Sequence, residues 1–127
     1  MKLSRLRVCK EVDQRLIHLK GRTGLTPNLL CRLGFCLSLN DPTVPDPNMY
    51  PPDSDREINR YTLTGEWDML FICMLKERCI HDGIDLEQHL EDQFRAHVNR
   101  GVLILFNRLK NISEVSRLLP KQIESDA

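Results

Sequence analysis

The sequence predicts a mainly α, single-domain protein, and three observations support this fold class. Apolar residues recur at the three- and four-residue spacing of a helix over most of the 127 positions. A threonine–proline pair at 26–27 is a strong signal for the start of a helix. Five of the seven prolines fall within 41–55 and predict a proline-rich loop there. Neither side of this loop holds enough apolar residues for its own core, so we expect one domain over 1–127.

The N-terminal elements are predicted from a change in the spacing of apolar residues, from the alternation of a strand to the spacing of a helix. Polar and apolar residues alternate over 5–9, which predicts a short strand. Val12, Leu16 and Leu19 then lie at i, i+4 and i+7 on one face of a first helix, which the glycines within 21–24 can end.

The second helix has the clearest boundaries. The Thr26 hydroxyl can cap free amides, and Pro27 at the first helical position gives up no needed hydrogen bond. Residues 40–42 are expected to end this helix, and the proline-rich loop follows.

The C-terminal half is also expected to be helical. The apolar stripe at 67–79 is so broad that this helix should be central, with 82–83 as its end. Asp85 resembles the start of a capping box for the next helix. We expect Gly101 to bend or break that helix before the stripe resumes at 102–109.

The C-terminal end of the chain is predicted to form a short helix at 112–119 and a frayed tail at 120–127.

The sequence also indicates the cellular location of the protein. No apolar run approaches the ~18 residues that span a membrane, and the first residues lead into no signal-peptide core. We therefore expect a cytoplasmic protein that is not bound to a membrane.

Cysteines and histidines show no spacing typical of a cofactor site. The five cysteines are odd in number and form no C-x-x-C pair: Cys9, Cys31, Cys36, Cys73 and Cys79. Each lies among apolar neighbours, which predicts a free, buried thiol. The four histidines lack the spacing of converging ligands: His18, His81, His89 and His97. We expect no metal and no other cofactor.

The net charge of zero hides a gradient along the chain. Residues 1–40 carry eight Lys and Arg against two Asp and Glu, a net +6, whereas 41–100 carry a net −7 and 101–127 a net +1. This asymmetry fits an anion-binding end joined to an acidic body. It equally fits two complementary faces of a homo-oligomer.

The basic N-terminal region supplies the candidate DNA contacts. Arg15, His18 and Arg22 lie at i, i+3 and i+7 on the first helix, away from its apolar stripe. Phosphates are bound by long cationic side chains on one exposed surface, which this spacing provides. The candidate DNA-binding residues are Arg5, Arg7, Lys10, Arg15, Lys20 and Arg22. The alternative is a solvated helix face without a ligand.

Acidic residues raise the question of a nuclease. A two-metal site needs several carboxylates around one phosphate, and the candidates are Glu66, Asp68, Glu87, Glu91 and Asp92. Glu66 and Glu87, however, lie in first turns of helices, where the helix dipole stabilises a negative charge. We favour the structural interpretation and assign no catalytic residue.

The order of elements at 3–39 resembles the ribbon–helix–helix, or Met-repressor-like, arrangement. A short strand precedes a helix, a glycine-containing turn and a second helix. In that arrangement two chains pair their strands into a ribbon that enters the major groove of DNA.

Five segments carry a second and more extensive resemblance. They read LRVCKEV, LKGRTGLTPNLL, CLSL, EINRYTLTGE and AHVNRG, and they begin at positions 6, 19, 36, 57 and 96. In this order they resemble the DndE family, over about 5–118.

The resemblance implies a function and a set of partners. It implies an accessory subunit of the bacterial DNA phosphorothioation system, in which sulfur replaces a non-bridging phosphate oxygen. It further implies a homotetramer that binds DNA, nicked duplex preferentially, through surface lysines; Lys10 and Lys20 lie in matching segments. A cysteine desulfurase, an iron–sulfur enzyme and an ATPase-like subunit would perform the chemistry.

Three functions remain open at this point. The first is a DNA-binding accessory module, which the basic N-terminal region favours. The second is a scaffold that docks the ATPase-like and iron–sulfur subunits without touching DNA, which the acidic centre favours. The third is a DNA nickase that prepares the backbone for sulfur.

Overall fold

The computed structural model describes residues 3–109 and is mainly α, as predicted. Its elements are β1 (Arg5–Arg7), α1 (Lys10–Thr23), α2 (Pro27–Leu39), β2 (Glu57–Asn59), α3 (Arg60–Thr64), α4 (Asp68–His81) and α5 (Leu86–Arg108). Single 3-10 turns lie at Pro47–Met49 and Gly65–Trp67. Within 3–109 no helix is long and apolar enough to cross a bilayer. The helix predicted at 112–119 and the tail at 120–127 fall outside the described residues.

Local capping sets the boundary between α1 and α2. Gly24 adopts a left-handed conformation with φ 74°, and its amide donates to the carbonyl of Lys20 at 2.9 Å. This is the usual glycine end of a helix. The hydroxyl of Thr26 accepts a hydrogen bond from the amide of Leu29 at 3.4 Å, which confirms the predicted start of α2. Gly21 lies inside α1 rather than at its end.

The central helix is α5, and the prediction that the 67–79 helix is central is wrong. α5 is buried along most of its length and packs mainly against α2. α4 packs on one side only, through Phe71, Ile72, Leu75 and Cys79. Trp67, Met69 and Leu70 are exposed. The apolar stripe of α4 is therefore wider than the surface that the described part of the chain covers.

Two glycines let α2 and α5 touch backbone to backbone. Gly34 and Gly101 are both buried, and a Cβ placed on Gly34 would lie 2.7 Å from the amide nitrogen of Val102. A Cβ on Gly101 would overlap the carbonyl of Gly34. The predicted bend or break at Gly101 is wrong, because α5 runs through this position without interruption. Here glycine serves close helix packing and does not end the helix.

The strand predicted at 5–9 is present as β1 and finds its partner within the same chain. β1 pairs antiparallel with β2, with Leu6 opposite Ile58 and both side chains buried. The ribbon–helix–helix arrangement pairs strands from two chains, so the resemblance holds for the element order but not for this pairing. The strand at 57–59 was not predicted.

Arginines from α4 and α5 hold the proline-rich loop against the helices. Arg78 and Arg100 each donate to the carbonyl of Thr43, at 2.7 and 2.8 Å, and Arg95 donates to the carbonyl of Tyr50 at 2.9 Å. Prolines lack the amides that would otherwise pair with such carbonyls, and a guanidinium offers five donors. Side-chain donors therefore add to the few backbone hydrogen bonds of the loop, such as those of the 3-10 turn at Pro47–Met49.

A polar network lies beneath this loop, between α2 and α5. Ser38 accepts a hydrogen bond from Nε of Arg100 at 2.9 Å, and its Oγ lies 2.8 Å from Nδ1 of the buried His97. The Ser38 hydroxyl can donate to Nδ1 or accept from it, according to the tautomer of His97, and Nε2 of His97 has no hydrogen-bond partner among the described residues. Burial and the neighbouring charges of Arg100 and Arg78 favour the neutral form of His97 by lowering its pKa.

The cysteines divide into two groups. Cys9, Cys31 and Cys79 are buried free thiols, as predicted, and burial raises the pKa of Cys31 to about 12 and that of Cys79 to about 11. Cys36 and Cys73 are exposed, so the prediction of burial is wrong for these two. They lie on the outward sides of α2 and α4, where apolar sequence neighbours do not guarantee burial.

Substitution of Gly101 by Ala is expected to destabilise the fold by about 3 kcal/mol, since the added methyl forces α2 and α5 apart. The matched control is Gly21→Ala, because nothing lies within 4 Å of a Cβ at Gly21 inside α1. That change should stabilise the protein by about 0.5–1 kcal/mol. Urea denaturation measures both variants, and a midpoint for G101A equal to that of the parent would contradict the proposed packing role.

The buried His97 should make stability depend on pH. Burial is the main cause that lowers its pKa from 6.5 to about 4, and the positive charges of Arg100 and Arg78 add to it. The unfolded chain binds this proton at higher pH than the folded chain, so stability is complete above pH 6.5 and falls between pH 6.5 and 4. We expect the free energy of unfolding to be about 2 kcal/mol lower at pH 5 than at pH 7.5.

Urea denaturation at the two pH values tests this expectation. His97→Gln should lose most of this difference, whereas His81→Gln, which alters an exposed histidine, should keep it. A pH dependence in H97Q as large as in the parent would show that other groups cause it.

Candidate nucleic-acid interface

The start of α1 is held by side chains from two distant segments. Cys9 occupies the N-cap position without a capping side chain of its own. Instead, the amide of Cys9 donates to Oδ1 of Asn99 at 3.0 Å, and the amide of Lys10 donates to Oδ1 of Asp53 at 2.9 Å. These acceptors satisfy amides that a helix start leaves without partners. The direction of α1 is therefore set by α5 and by the proline-rich loop.

One face of α1 is buried and the other carries positive charge. Val12, Leu16 and Leu19 are fully buried, as the spacing predicts. Lys10, Lys20 and Arg22 are exposed and form no ion pair with any residue in the described range 3–109, and Arg15 pairs only with Glu11, at 3.8 Å. We call Lys10, Arg15, Lys20 and Arg22 the α1 basic face, meaning the solvent side of α1 outside the buried stripe, around which these four side chains are spread.

Within the α1 basic face, two arginines meet on one aromatic ring. The guanidinium carbon of Arg15 lies 4.4 Å from the centre of the Phe106 ring, and that of Arg22 lies 5.5 Å from it. The His18 ring is 6.4 Å away, centre to centre. The structure thus brings together the three residues that the i, i+3, i+7 spacing placed on one side of α1.

Arg5 and Arg7 have a different environment. Both contact the carboxylate of Glu57 on β2, Arg5 at 3.2 Å to Oε1 and Arg7 at 3.0 Å to Oε2. Arg7 also donates to the carbonyl of Ser54 at 2.9 Å. These two candidate residues stand on β1 with their charge shared with a carboxylate, unlike the cations of the α1 basic face.

The carboxylates considered for a nuclease site are dispersed, and two of them have ion-pair partners. Both oxygens of Asp68 accept hydrogen bonds from Arg60, at 2.9 and 2.8 Å, and this pairing is the main cause that lowers the pKa of Asp68. Asp92 pairs with Arg95 at 3.1 Å. Within residues 3–109, no three His, Cys, Asp or Glu side chains come close enough to hold a metal ion.

Sequence reasoning missed Phe106 as part of this surface. The residue belongs to the apolar stripe at 102–109, which predicts only a place in the core. In the structure its ring is half-buried and faces α1, whereas its neighbour Leu105 is fully buried. No signal in the sequence shows which helix a partly buried aromatic ring faces.

Comparison with known proteins identifies relatives of this fold. The family model described as DNA sulphur modification protein DndE matches residues 5–113. The crystal structure of DndE from Escherichia coli B7A, involved in DNA phosphorothioation modification, is 27% identical, with a TM-score of 0.68, and the match covers 83% of this chain and 98% of that one.

A second solved structure supports the fold alone. It is a glycine-to-lysine double mutant of DndE, 23% identical with a TM-score of 0.66, and the match covers 83% of this chain and 99% of that one. Among curated proteins, none matches the chain. Because the family model spans most of the sequence, the chain belongs to the DndE family of DNA sulphur modification proteins.

Proposed function

We propose that this chain is a non-catalytic accessory subunit of a DNA phosphorothioation system, and that it binds duplex DNA through the α1 basic face. The family and the E. coli relative support the place in phosphorothioation. The observation that carries DNA binding is the exposed set of cations on α1, which form few ion pairs within the described residues.

The contrast with other cations of the chain strengthens the proposal. Arg78, Arg95 and Arg100 donate to carbonyls of the proline-rich loop, and Arg60 is paired with Asp68. Such cations cannot reach a phosphate without breaking contacts that hold the fold. Those of the α1 basic face can do so at little cost, since a solvated cation exchanges water for the phosphate and releases condensed counterions from the DNA.

Contacts with phosphate groups determine which DNA molecules the protein should bind. Phosphates carry no sequence information, so the protein should bind unrelated duplexes with similar affinity. A nick lowers the free energy needed to bend the duplex. A bent duplex can contact the α1 basic faces of several subunits at once. We therefore propose that nicked duplex is preferred. In this proposal other subunits perform the sulfur chemistry, and relaxation of supercoiled plasmid by the protein alone with a divalent metal would contradict the non-catalytic role.

Replacement of Lys20 and Arg22 by Ala should weaken DNA binding without loss of fold. We expect lower affinity for unrelated duplexes alike, and a salt dependence of log K that is flatter by about one unit for each lost contact. Fluorescence anisotropy over a range of salt concentrations measures both quantities, with plain and nicked duplexes in parallel.

The charge-matched control is Lys76→Ala, at an exposed lysine on α4. Because Lys76 lies near Met69 and Ile80 on that helix, light scattering on this variant should show the same oligomer as the parent. Lys76→Ala should leave the affinity and the salt slope close to those of the parent. If K20A/R22A is well folded and binds nicked duplex with the affinity and slope of the parent, the α1 basic face is only a solvated surface.

The exposed apolar side of α4 supports a homo-oligomer, which we propose to be a tetramer. Met69 is 80% exposed, Trp67 54% and Leu70 52%, at the start of α4, and Ile80 is 62% exposed near its end. Apolar side chains clustered on one exposed side are typical of a protein–protein contact. A second copy of this chain is the proposed occupant, since several subunits are needed to present several basic faces to one DNA molecule.

The same side of α4 also fits a second candidate function, a scaffold that docks the ATPase-like and iron–sulfur subunits without DNA contact. Light scattering separates the two. A monomer of 14.8 kDa at micromolar concentration would favour docking of another subunit over self-association.

Met69→Glu with Leu70→Glu should dissociate the oligomer, because charges buried in an apolar contact are costly. We expect light scattering to show a mass near 14.8 kDa for this variant and a multiple of it for the parent, with equal helix content by circular dichroism. Gln88→Glu with His89→Glu is the matched control, because it adds two acidic groups at exposed polar positions of α5 and should not change the mass. An unchanged mass for M69E/L70E would move the contact away from this side of α4.

A further inference from the structure

Phe106 brings two like-charged side chains together from one face of α1. Arg15 and Arg22 are two turns apart on that helix, and both guanidinium groups lie over the same ring, at 4.4 and 5.5 Å. The ring comes from α5, so the arrangement depends on the packing of two helices and not on α1 alone. Leu105 and Leu109, the buried neighbours of Phe106, hold this end of α5 in the core.

The charges in this arrangement are incompletely compensated. Arg15 has Glu11 at 3.8 Å, at the long end of ion-pair distances, and both groups are partly open to solvent. Arg22 forms no ion pair with the part of the chain that the structure describes. The imidazole of His18 is a third nitrogen-bearing group beside the Phe106 ring. Cations that converge without a matching carboxylate create a positive potential, which favours binding of an anion.

We propose that Phe106, Arg15 and Arg22 form an aromatic–arginine cradle that binds one phosphodiester group of DNA. In this cradle Phe106 is the positioning residue, the two guanidinium groups bind the phosphate, and His18 lies at the rim. This inference rests on the DNA-binding function proposed above. It adds a structural reason why two flexible arginine side chains form a defined binding site.

The physical role of the ring is to reduce the conformational cost of binding. A free arginine side chain loses more rotamer entropy than most side chains when it is fixed. A guanidinium held over an aromatic ring has lost part of that freedom before the phosphate arrives. Contact through its face leaves the in-plane N–H groups for a phosphate oxygen. The cradle is thus preorganised, whereas Lys10 and Lys20 contribute charge without a fixed geometry.

The test removes the aromatic ring of Phe106 but leaves a large apolar side chain at that position. Phe106→Leu should weaken duplex binding about fivefold, because the two arginines must then lose on binding the rotamer freedom that the ring already restricts in the parent, and Phe106→Tyr should restore parental affinity. A double-mutant cycle with Arg15→Ala and Arg22→Ala separates positioning from packing. If the ring acts through the two arginines, F106L should cause no further loss in the R15A/R22A background. An equal fivefold loss in that background would show a general packing defect and overturn the cradle.

A second measurement tests the cradle without DNA, in the parent protein, and so does not depend on whether F106L folds. The side-chain Nε–H resonances of Arg15 and Arg22 are followed by NMR in the parent protein, titrated with inorganic phosphate. Joint shifts of both resonances with one dissociation constant are expected, and they should be lost in F106L but kept in F106Y. If duplex binds but neither resonance moves with phosphate or DNA, the cradle is wrong and the proposed function stands. If both resonances shift with phosphate but no duplex binds, the cradle stands as an anion site and the proposed function fails.

Discussion

The backbones of α2 and α5 meet at Gly34 and Gly101, and the other elements take their places around that contact. Because neither residue has a side chain, the helices approach closely enough for Ser38 and His97 to form a hydrogen bond across the same interface. α1 and α4 then each pack against α5. Any side chain at position 101 would enlarge the helix separation and disturb each of these layers in turn.

The position of each cation in this architecture decides what it can do. Arginines next to the proline-rich loop pair with its carbonyls, since a loop poor in amides leaves acceptors without partners. Arg5 and Arg7 face Glu57 across the two-stranded sheet. On α1, by contrast, Lys10, Lys20 and Arg22 face outward and form no ion pair within residues 3–109, so they are available to a ligand. The overall charge of zero therefore conceals a local surface with a positive potential.

Local chemistry explains what the sequence predicted well. Capping at Thr26 and the left-handed Gly24 depend on a few neighbouring residues, so the ends of α1 and α2 were predictable. The i, i+3, i+7 spacing likewise placed Arg15, His18 and Arg22 on one side of α1.

Long-range packing explains what was missed. The pattern around Gly101 fits a helix break as well as a close helix contact, and only the position of Gly34 in space separates them. The stripe at 67–79 indicates an apolar surface but not whether this chain or another covers it. β2 is three residues long and exists because β1 lies beside it. The ring of Phe106 is part of the candidate site for the same reason, since its partners lie on a helix distant in sequence.

The contact between Gly34 and Gly101 also affects when the chain can fold during translation. α2 leaves the ribosome well before the part of α5 that covers it, and ~60 residues take several seconds to add at the usual rate of about 5–20 residues per second. Through that interval the buried side of α2, with Leu30 and Phe35, lacks α5, its main packing partner. A helical protein whose main contact joins its two halves must close a long loop before its core forms, so it folds late in translation and not helix by helix. We therefore expect nascent chains of this protein to expose the apolar side of α2 until α5 has been made.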